Sequence, residues 1–219
     1  MKKIFIGLCS ILFCSLGFAQ EAWENSLGIS LSAPYYSLQI RDDGKKDAFV
    51  PSVSARYFGF FENGFCVDTS LGVGLATSKD FKLEAETGTS KGLAMNLTAG
   101  AGYNFSLSER WSISILGNLT LDWMQYRFLK EIKTPLSTDY ATSEWTQSDN
   151  SLSFGIGAKF LAQFKASEHI AIFASASAGF WDAGSLWIEG TKYGNPFEST
   201  SEIRGNFFVT PSLGVSWIF

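Results

Sequence analysis

The sequence predicts an all-β fold, an eight-stranded antiparallel up-and-down transmembrane β-barrel. Three observations lead to this prediction. Apolar residues alternate with small or polar residues over segments of about ten positions, the connections between these segments are alternately short and long, and most charged residues lie in the long connections. With 46% apolar and 17% charged residues among 219, the chain is neither disordered nor fibrous.

An export signal precedes the predicted barrel. Two lysines are followed by an apolar run from Ile4 to Leu16 and by the small-x-small triplet Gly17-Phe18-Ala19. This is the pattern of a secretory signal peptide, and the run is too short to span ~30 Å of hydrocarbon as a helix. We therefore expect a signal peptide over 1–19 and a mature barrel domain over 20–219.

The clearest alternation lies in the middle of the chain. Every second residue from Trp111 to Trp123 is apolar or glycine, and the residues between them are mostly Ser, Asn, Thr or Asp. The segment from Leu93 to Phe105 follows the same rule, as a strand with one lipid face and one lumen face requires. If the connection 106–109 forms a tight turn, we expect Asn96 to lie opposite Asn118, so that like faces meet.

Eight segments are predicted to be strands, and their connections alternate in length. Outer-membrane barrels have short periplasmic turns and longer external loops, so both chain ends are expected on the periplasmic side and four loops at the cell surface. The predicted strands are roughly 25–40, 47–61, 65–78, 90–106, 110–127, 149–166, 169–182 and 204–219. The four long connections are 41–46, 79–89, 128–148 and 183–203.

Charged residues test this prediction independently, because strands in lipid should carry none on their outer face. Of the 36 charged residues that follow the signal, 25 lie in or beside the four long connections. Four lie well inside predicted strands, and all have the parity of the lumen: Arg56, Asp68, Asp122 and Lys159. A soluble β-sandwich or lipocalin-like barrel also alternates, but it would bury its apolar face inward and leave its exterior wet.

The predicted lumen is mostly filled, since an eight-stranded barrel is just wide enough for its own side chains. Bulk comes from Leu116, Met124, Leu161, Phe173 and Phe208, and a polar network from Arg56, Asp68, Asn96, Asn118, Asp122 and Lys159. With a turn centred on Asn63, Asp68 faces Phe58 and has Arg56 as its diagonal neighbour. We therefore expect a lumen ion pair, and removing one partner of a fully buried pair costs ~3–5 kcal/mol.

Three prolines interrupt the predicted strands. Pro34, Pro51 and Pro211 each remove a ladder donor, and they lie in the first, second and last strands, which close the barrel. They indicate either a lateral seam, with an opening toward lipid, or an ordinary bulge or edge above the membrane. The residues expected to line such an opening are Tyr35, Tyr36 and Phe208.

Residues able to carry catalysis or bind metal are scarce. The mature chain has one histidine, His169, beside a predicted turn, and one cysteine, Cys66. A hydrolase triad needs a carboxylate, a histidine and a nucleophile that converge, and a zinc site needs several Cys or His ligands. We therefore expect no catalytic, cofactor-binding or metal-binding residue, no cofactor, and a protein that is not an enzyme.

The last strand carries a resemblance to a known family. Leu213, Val215, Trp217 and Phe219 occupy alternate positions, and a terminal aromatic closes the strand. Trp217 and Phe219 resemble the C-terminal signal by which outer-membrane barrels are recognised for assembly. With the export signal and the eight strands, the mature chain resembles the small outer-membrane β-barrel family that includes the OmpA membrane domain, OmpX and OmpW. The resemblance implies a bacterial outer-membrane location, with membrane lipids and the barrel assembly machinery as partners.

These expectations define one function and one alternative. We expect a monomeric, non-enzymatic barrel that displays its four loops for adhesion, surface shielding or envelope integrity, with an extracellular ligand or a host surface as partner. Nucleic acid is not expected, because 21 acidic residues outnumber 17 basic ones and nucleic-acid binders present a basic face. The alternative is a narrow channel or lateral-gate conduit for small apolar solutes, as the resemblance to OmpW-like barrels implies.

Location in the outer membrane can be measured on intact cells. Added protease should cut within 128–148 or 183–203 and leave a barrel core that changes its gel mobility on boiling, because lipid shields the strands between the loops. Recovery of the protein from the soluble periplasmic fraction would contradict this prediction.

Overall fold

The computed structural model describes residues 24–40, 44–78, 90–136, 139–192, 195–203 and 206–219, and the predicted signal peptide 1–19 lies outside these ranges. All regular structure in the described residues is β. No helix long and apolar enough to cross a membrane occurs among them. The strands are β1 (Glu24–Ser32), β2 (Tyr35–Ile40), β3 (Gly44–Phe49), β4 (Ser52–Phe60), β5 (Phe65–Ser78), β6 (Ser90–Ser106), β7 (Trp111–Leu136), β8 (Asp139–Lys165), β9 (Ile170–Lys192), β10 (Asn195–Ile203) and β11 (Asn206–Ile218).

These elements form a closed barrel of eight antiparallel strands, as predicted. Three of the barrel strands consist of two elements each: β1 with β2, β3 with β4, and β10 with β11. In the last case both elements pair with β9, from Asn195 opposite Lys192 to Trp217 opposite Ile170. The barrel closes where β11 pairs with both β1 and β2.

The stagger of the strands fixes the size of the barrel. Paired residues, followed once around the barrel from Ser26 on β1, return to the same barrel strand at Tyr36, ten residues further up. The circuit passes through Phe58, Asp68, Gly100, Asn118, Gly157, Gly179 and Phe208. Such a stagger tilts the strands by roughly 40° and leaves an interior that side chains can fill.

The alternation places apolar side chains on the outer face. On β1, Leu27, Ile29 and Leu31 are 55%, 65% and 66% exposed, whereas Ser26 and Ser30 between them are buried. Exposed aromatic residues form two belts. One belt lies near the short turns (Tyr103, Phe105, Trp111, Trp217 and Phe219), and the other lies toward the opposite end (Tyr35, Phe49, Phe154, Phe180 and Phe207).

Two of the predicted surface loops are instead β-hairpins. β7 and β8 stay paired up to Leu136 opposite Asp139, and β9 and β10 up to Lys192 opposite Asn195. The prediction of loops over 128–148 and 183–203 is therefore wrong. Strands that leave the membrane have water on both faces, so they lose the alternation that reveals a strand, while their backbones continue to pair.

The expected register between β6 and β7 is also wrong. Asn96 lies opposite Asp122 rather than Asn118. The cause is the turn: Leu107 N donates to Trp111 O at 2.9 Å, and Trp111 N donates to Ser108 Oγ at 3.1 Å. These bonds centre the turn on Glu109. The expected register between the second and third barrel strands is confirmed, with Asp68 opposite Phe58.

Glycines at lumen positions admit the large rings of the interior. A Cβ atom at Gly214 would lie 2.5 Å from Phe173 Cζ, and one at Gly179 would lie 2.8 Å from Phe208 Cε1. Both rings therefore occupy volume that a side chain on the neighbouring strand would fill. The glycines seen in the sequence thus help to close the lumen.

Candidate functional site

The lumen is divided into three layers along the barrel axis. On β7, the lumen-facing residues from Leu116 upward are Leu116, Asn118, Thr120, Asp122 and Met124, all at most 5% exposed. The order is apolar, polar, apolar. The same order recurs along β4 and the residues just before it, where Phe58 is followed upward by Arg56, Ser54, Ser52 and Val50.

The lower layer is apolar and lies above a few buried polar groups near the short turns, Asn104, Ser114 and Gln163. It consists of Phe58, Cys66, Leu116, Leu161 and Phe173, with Phe60 packed against it. Cys66 is fully buried and serves here as a small apolar side chain. This layer separates the middle of the lumen from the end of the barrel that carries the short turns.

The upper layer is also apolar and lies at the level of the second aromatic belt and above it. It consists of Tyr36, Ala48, Val50, Ala76, Ala94, Met124, Leu186, Ile203 and Phe208. The five residues predicted to add bulk to the lumen are each 1% exposed and divide between the two layers, which confirms that prediction: Leu116, Met124, Leu161, Phe173 and Phe208.

Between the layers lies a polar chamber with a buried cluster of three charges. Arg56 Nε donates to Asp68 Oδ1, and Lys159 Nζ donates to Asp68 Oδ2 at 2.5 Å. The Arg56 guanidinium also lies over the Phe173 ring, 4.3 Å from its centroid, and 5.1 Å from that of Phe58. One carboxylate thus bridges two cations, and the lower layer packs against one of them.

The other predicted lumen residues divide between two levels. Asn96 and Asn118 line the chamber together with Arg56 and Lys159. Asp122 accepts a hydrogen bond from Tyr36 Oη at 2.9 Å and belongs to the upper level. Lys159 on β8 lies opposite Leu116 on β7, and Leu116 is six residues below Asp122 along β7. Lys159 and Asp122, both predicted members of the polar network, therefore do not meet.

Hydroxyl groups are the part of the chamber that sequence reasoning missed. A cavity of about 40 Å³ is lined by Ser30, Ser32, Ser54, Arg56, Ser70, Asn96, Thr98, Asn118, Lys159, Ser175, Ser177, Thr210 and Ser212. Several of these hydroxyls bond in pairs across neighbouring strands, among them Ser70 with Thr98 and Ser175 with Ser212, both at 2.6 Å. The sequence signal that could have revealed these hydroxyl groups is the series of Ser and Thr residues at lumen-facing positions of the strands.

The three prolines lie at the predicted positions, and each accepts a backbone bond from the neighbouring strand. The donors are Ala33 N to Pro211 O at 3.1 Å, Val50 N to Pro34 O at 2.9 Å and Leu75 N to Pro51 O at 3.1 Å. The return bond is missing at each pair, because proline has no N–H. The missing donors fall in three neighbouring strand pairs.

The strands remain paired through this row of prolines. Across the closing pair, Ser32 lies opposite Ser212 below the prolines and Tyr35 opposite Val209 above them, in one continuous register. Of the residues expected to line an opening, Tyr36 and Phe208 are 3% and 1% exposed, inside the upper layer. The prolines therefore leave single missing donors in a row around the wall, not a slot along one strand pair.

The remaining sequence candidates lie at the rim of the barrel near the short turns. His169 stacks on Trp217, with ring centroids 5.1 Å apart, and Trp217 and Phe219 face outward, 54% and 59% exposed. Phe219 N donates to Asn25 O at 2.9 Å, which ties the last residue to β1. Within the described ranges, no group of three His, Cys, Asp or Glu side chains could hold a metal ion.

Comparison with known proteins identifies a fold. No protein-family model matches this chain, and no curated protein matches it. Among solved structures, OprG from Pseudomonas aeruginosa is similar with a TM-score of 0.54 at 10% identity, over 91% of this chain and 97% of that chain. A major outer membrane protein from Thermus thermophilus has a TM-score of 0.48 at 15% identity, over 88% of this chain and 99% of that chain. Neisserial surface protein A has a TM-score of 0.46 at 14% identity, over 88% of this chain and 96% of that chain. The closed eight-stranded barrel and the likeness to OprG together show that the chain has the fold of the small outer-membrane β-barrels.

The charge cluster of Arg56, Asp68 and Lys159 should contribute strongly to the stability of the barrel at the level of the polar chamber. Asp68→Asn would leave two buried cations without their carboxylate, so we expect a loss of about 3–5 kcal/mol in the free energy of unfolding. Arg56→Ala should cost less, because Lys159 still compensates Asp68. Urea unfolding in lipid vesicles, followed by tryptophan fluorescence, measures both.

Lys165→Met supplies the matched control. Lys165 pairs with Glu24 at the rim of the barrel near the short turns, where its side chain is 32% exposed, and exposed pairs contribute about 0–1 kcal/mol. If Asp68→Asn cost no more than Lys165→Met, the cluster would be solvated rather than buried.

Proposed function

We propose that the protein is an integral, non-enzymatic barrel of the bacterial outer membrane whose lumen is closed to solutes. It acts through the strands and loops that extend beyond the membrane at the cell surface, in adhesion, surface shielding or envelope integrity. The observation that carries this proposal is the layered lumen. Two apolar layers close the chamber from below and from above, and each is built from side chains at most a few per cent exposed. A lumen blocked twice by packed apolar groups is a poor path for ions.

The outer surface supports membrane insertion over a soluble barrel. Contiguous apolar patches on soluble monomers rarely exceed a few hundred Å². This wall presents exposed apolar side chains on four neighbouring strands: Val73 and Leu75 on β5, Val53 on β4, Leu27, Ile29 and Leu31 on β1, and Leu213 and Val215 on β11. The four charged residues that the sequence places well inside strands lie inward, and three of them, Arg56, Asp68 and Asp122, are at most 5% exposed. Lipid is the solvent that suits this arrangement.

The surface role is supported by the length of the hairpins. Leu136 lies thirteen residues beyond Trp123 on β7, about 40 Å further along the strand at ~3.3 Å per residue. β8 and β9 stay paired up to Thr146 opposite Thr191, so β7 to β10 continue as a sheet past the aromatic belt. A protruding sheet offers an extracellular ligand or a host surface a large area for contact.

The last strand supports a proposal about the partner that assembles the barrel. We propose that Trp217 and Phe219 act as the signal read by the barrel assembly machinery, because both face outward at the strand end that closes on β1. The mature barrel satisfies its own strand edges within the membrane by closure. We therefore propose that the protein is a monomer surrounded by outer-membrane lipids.

A closed lumen predicts no ion conduction. The refolded protein, added to a planar lipid bilayer, should show no stable conductance steps, and the apolar layers are the reason. Phe173→Ala together with Leu116→Ala should open the lower layer and leave the upper layer as the remaining barrier. Steady conductance of the parent protein would overturn the closed-lumen proposal while leaving membrane insertion intact.

A lateral conduit for apolar solutes is the second candidate, favoured by the row of prolines. Replacing Pro34 and Pro211 with Thr would supply N–H donors to Val50 O and Ala33 O, each worth ~0.5–1.5 kcal/mol when paired. The variant barrel should be more stable. If the row of prolines is a conduit, uptake of an apolar dye into vesicles should also slow. Unchanged uptake would contradict the conduit and leave the surface role of a closed barrel as the proposed function.

A further inference from the structure

We propose that the polar chamber between the two apolar layers is a binding site for a small monovalent inorganic anion, of the size of chloride. The chamber is a built cavity in the middle of the barrel, and its size, charge and free donors all point to this class of ligand. The site is independent of the surface role proposed above.

The charge of the chamber is unbalanced. Asp68 is shared by Arg56 and Lys159, with one carboxylate oxygen bonded to each cation, so the three groups carry one net positive charge. Among the described lumen residues, a second carboxylate is Asp122, which is not part of the cavity lining and is bonded to Tyr36 at the upper layer. A buried charge at membrane depth is costly unless a counter-charge lies beside it.

Two buried side chains carry polar atoms without a hydrogen-bond partner at this place. Within the described part of the chain, Arg56 Nη2 and both amide atoms of Asn118 have no hydrogen-bond partner, although Arg56 and Asn118 are only 5% and 4% exposed. Both residues line the cavity. Buried polar groups in proteins are almost always bonded, so a guest that accepts hydrogen bonds from Arg56 Nη2 and Asn118 Nδ2 would satisfy both donors.

The hydroxyl pairs add further donors. In a pair such as Ser70 with Thr98 or Ser175 with Ser212, one hydroxyl donates to the other. The accepting hydroxyl keeps its own hydrogen, which can turn toward the chamber. Hydroxyl, amide and guanidinium hydrogens around one cavity form a shell for an anion, and the two cations exclude a metal cation.

The volume limits the guest to a small ion. A cavity of about 40 Å³ exceeds the ~10–15 Å³ that one water molecule requires, which leaves room for a halide with little accompanying water. Because the apolar layers close both ends, we expect the ion to enter as the barrel folds. Refolding in the presence of the anion, rather than soaking, is therefore the way to load the site.

The first experiment compares anions during refolding. The full mature chain is refolded into detergent with sodium chloride, sodium bromide or sodium gluconate at equal ionic strength, and its urea unfolding midpoint is measured against salt concentration. We expect the midpoint to rise and saturate with chloride and bromide but not with the larger gluconate. Equal midpoints in all three salts would overturn the proposal.

Variants separate the site from general salt effects. Asn118→Leu removes one donor to the ion, and Ser177→Ala removes a lining hydroxyl while all three charged side chains stay in place. Each should weaken the apparent halide affinity, about tenfold for Asn118→Leu. Ser153→Ala is the matched control, since Ser153 is a buried lumen hydroxyl outside the cavity lining. If Asn118→Leu does not fold, Ser177→Ala decides alone, and an affinity change equal to that of Ser153→Ala would overturn the proposal.

Anomalous scattering locates the ion. Crystals grown from protein refolded in bromide should show an anomalous peak within hydrogen-bond distance of Arg56 and Asn118. A chamber that holds only water would mean that water satisfies these donors, and the anion site would then be disproved. The closed-lumen proposal is tested separately by conductance, so the two can fail independently.

Discussion

Every backbone N–H and C=O group within lipid must find a partner in the protein itself, and closure of the sheet is how this chain meets that constraint. The closing contact is the pairing of β11 with β1 and β2. It fixes the number of strands and the stagger from Ser26 to Tyr36, and these two quantities set the width of the lumen. The contents of the lumen and the direction of each side chain follow from that width.

A lumen of this width is filled by its own side chains, and the filling is not uniform. Apolar rings occupy both ends, where Phe173 and Phe208 lie over glycines of adjacent strands. The charges are confined to the middle, where Asp68 bridges Arg56 and Lys159. Because these charges lie between two layers of packed apolar groups, they depend on one another and on whatever occupies the cavity beside them.

The same constraint weakens outside the membrane, and the structure changes there. Pairing continues along β7, β8, β9 and β10 without closure, since water can satisfy a free strand edge. The prolines lie where the wall meets this region. Each gives up one donor, and the neighbouring bonds in the same register keep the strands together.

The sequence alone determined the barrel, the direction of its faces and most of the lumen. Period-two alternation and the inward parity of Arg56, Asp68, Asp122 and Lys159 depend only on local geometry, because successive side chains of a strand point to opposite faces. The short turn around Asn63 likewise sufficed to place Asp68 near Arg56. Tertiary structure decided which strands continue above the membrane, and how Asn96 came to face Asp122 through a turn centred on Glu109. It also decided that Lys159 reaches Asp68 from across the lumen, since the sequence fixes the face of a residue, whereas partners on distant strands are set by the stagger of the whole closed sheet.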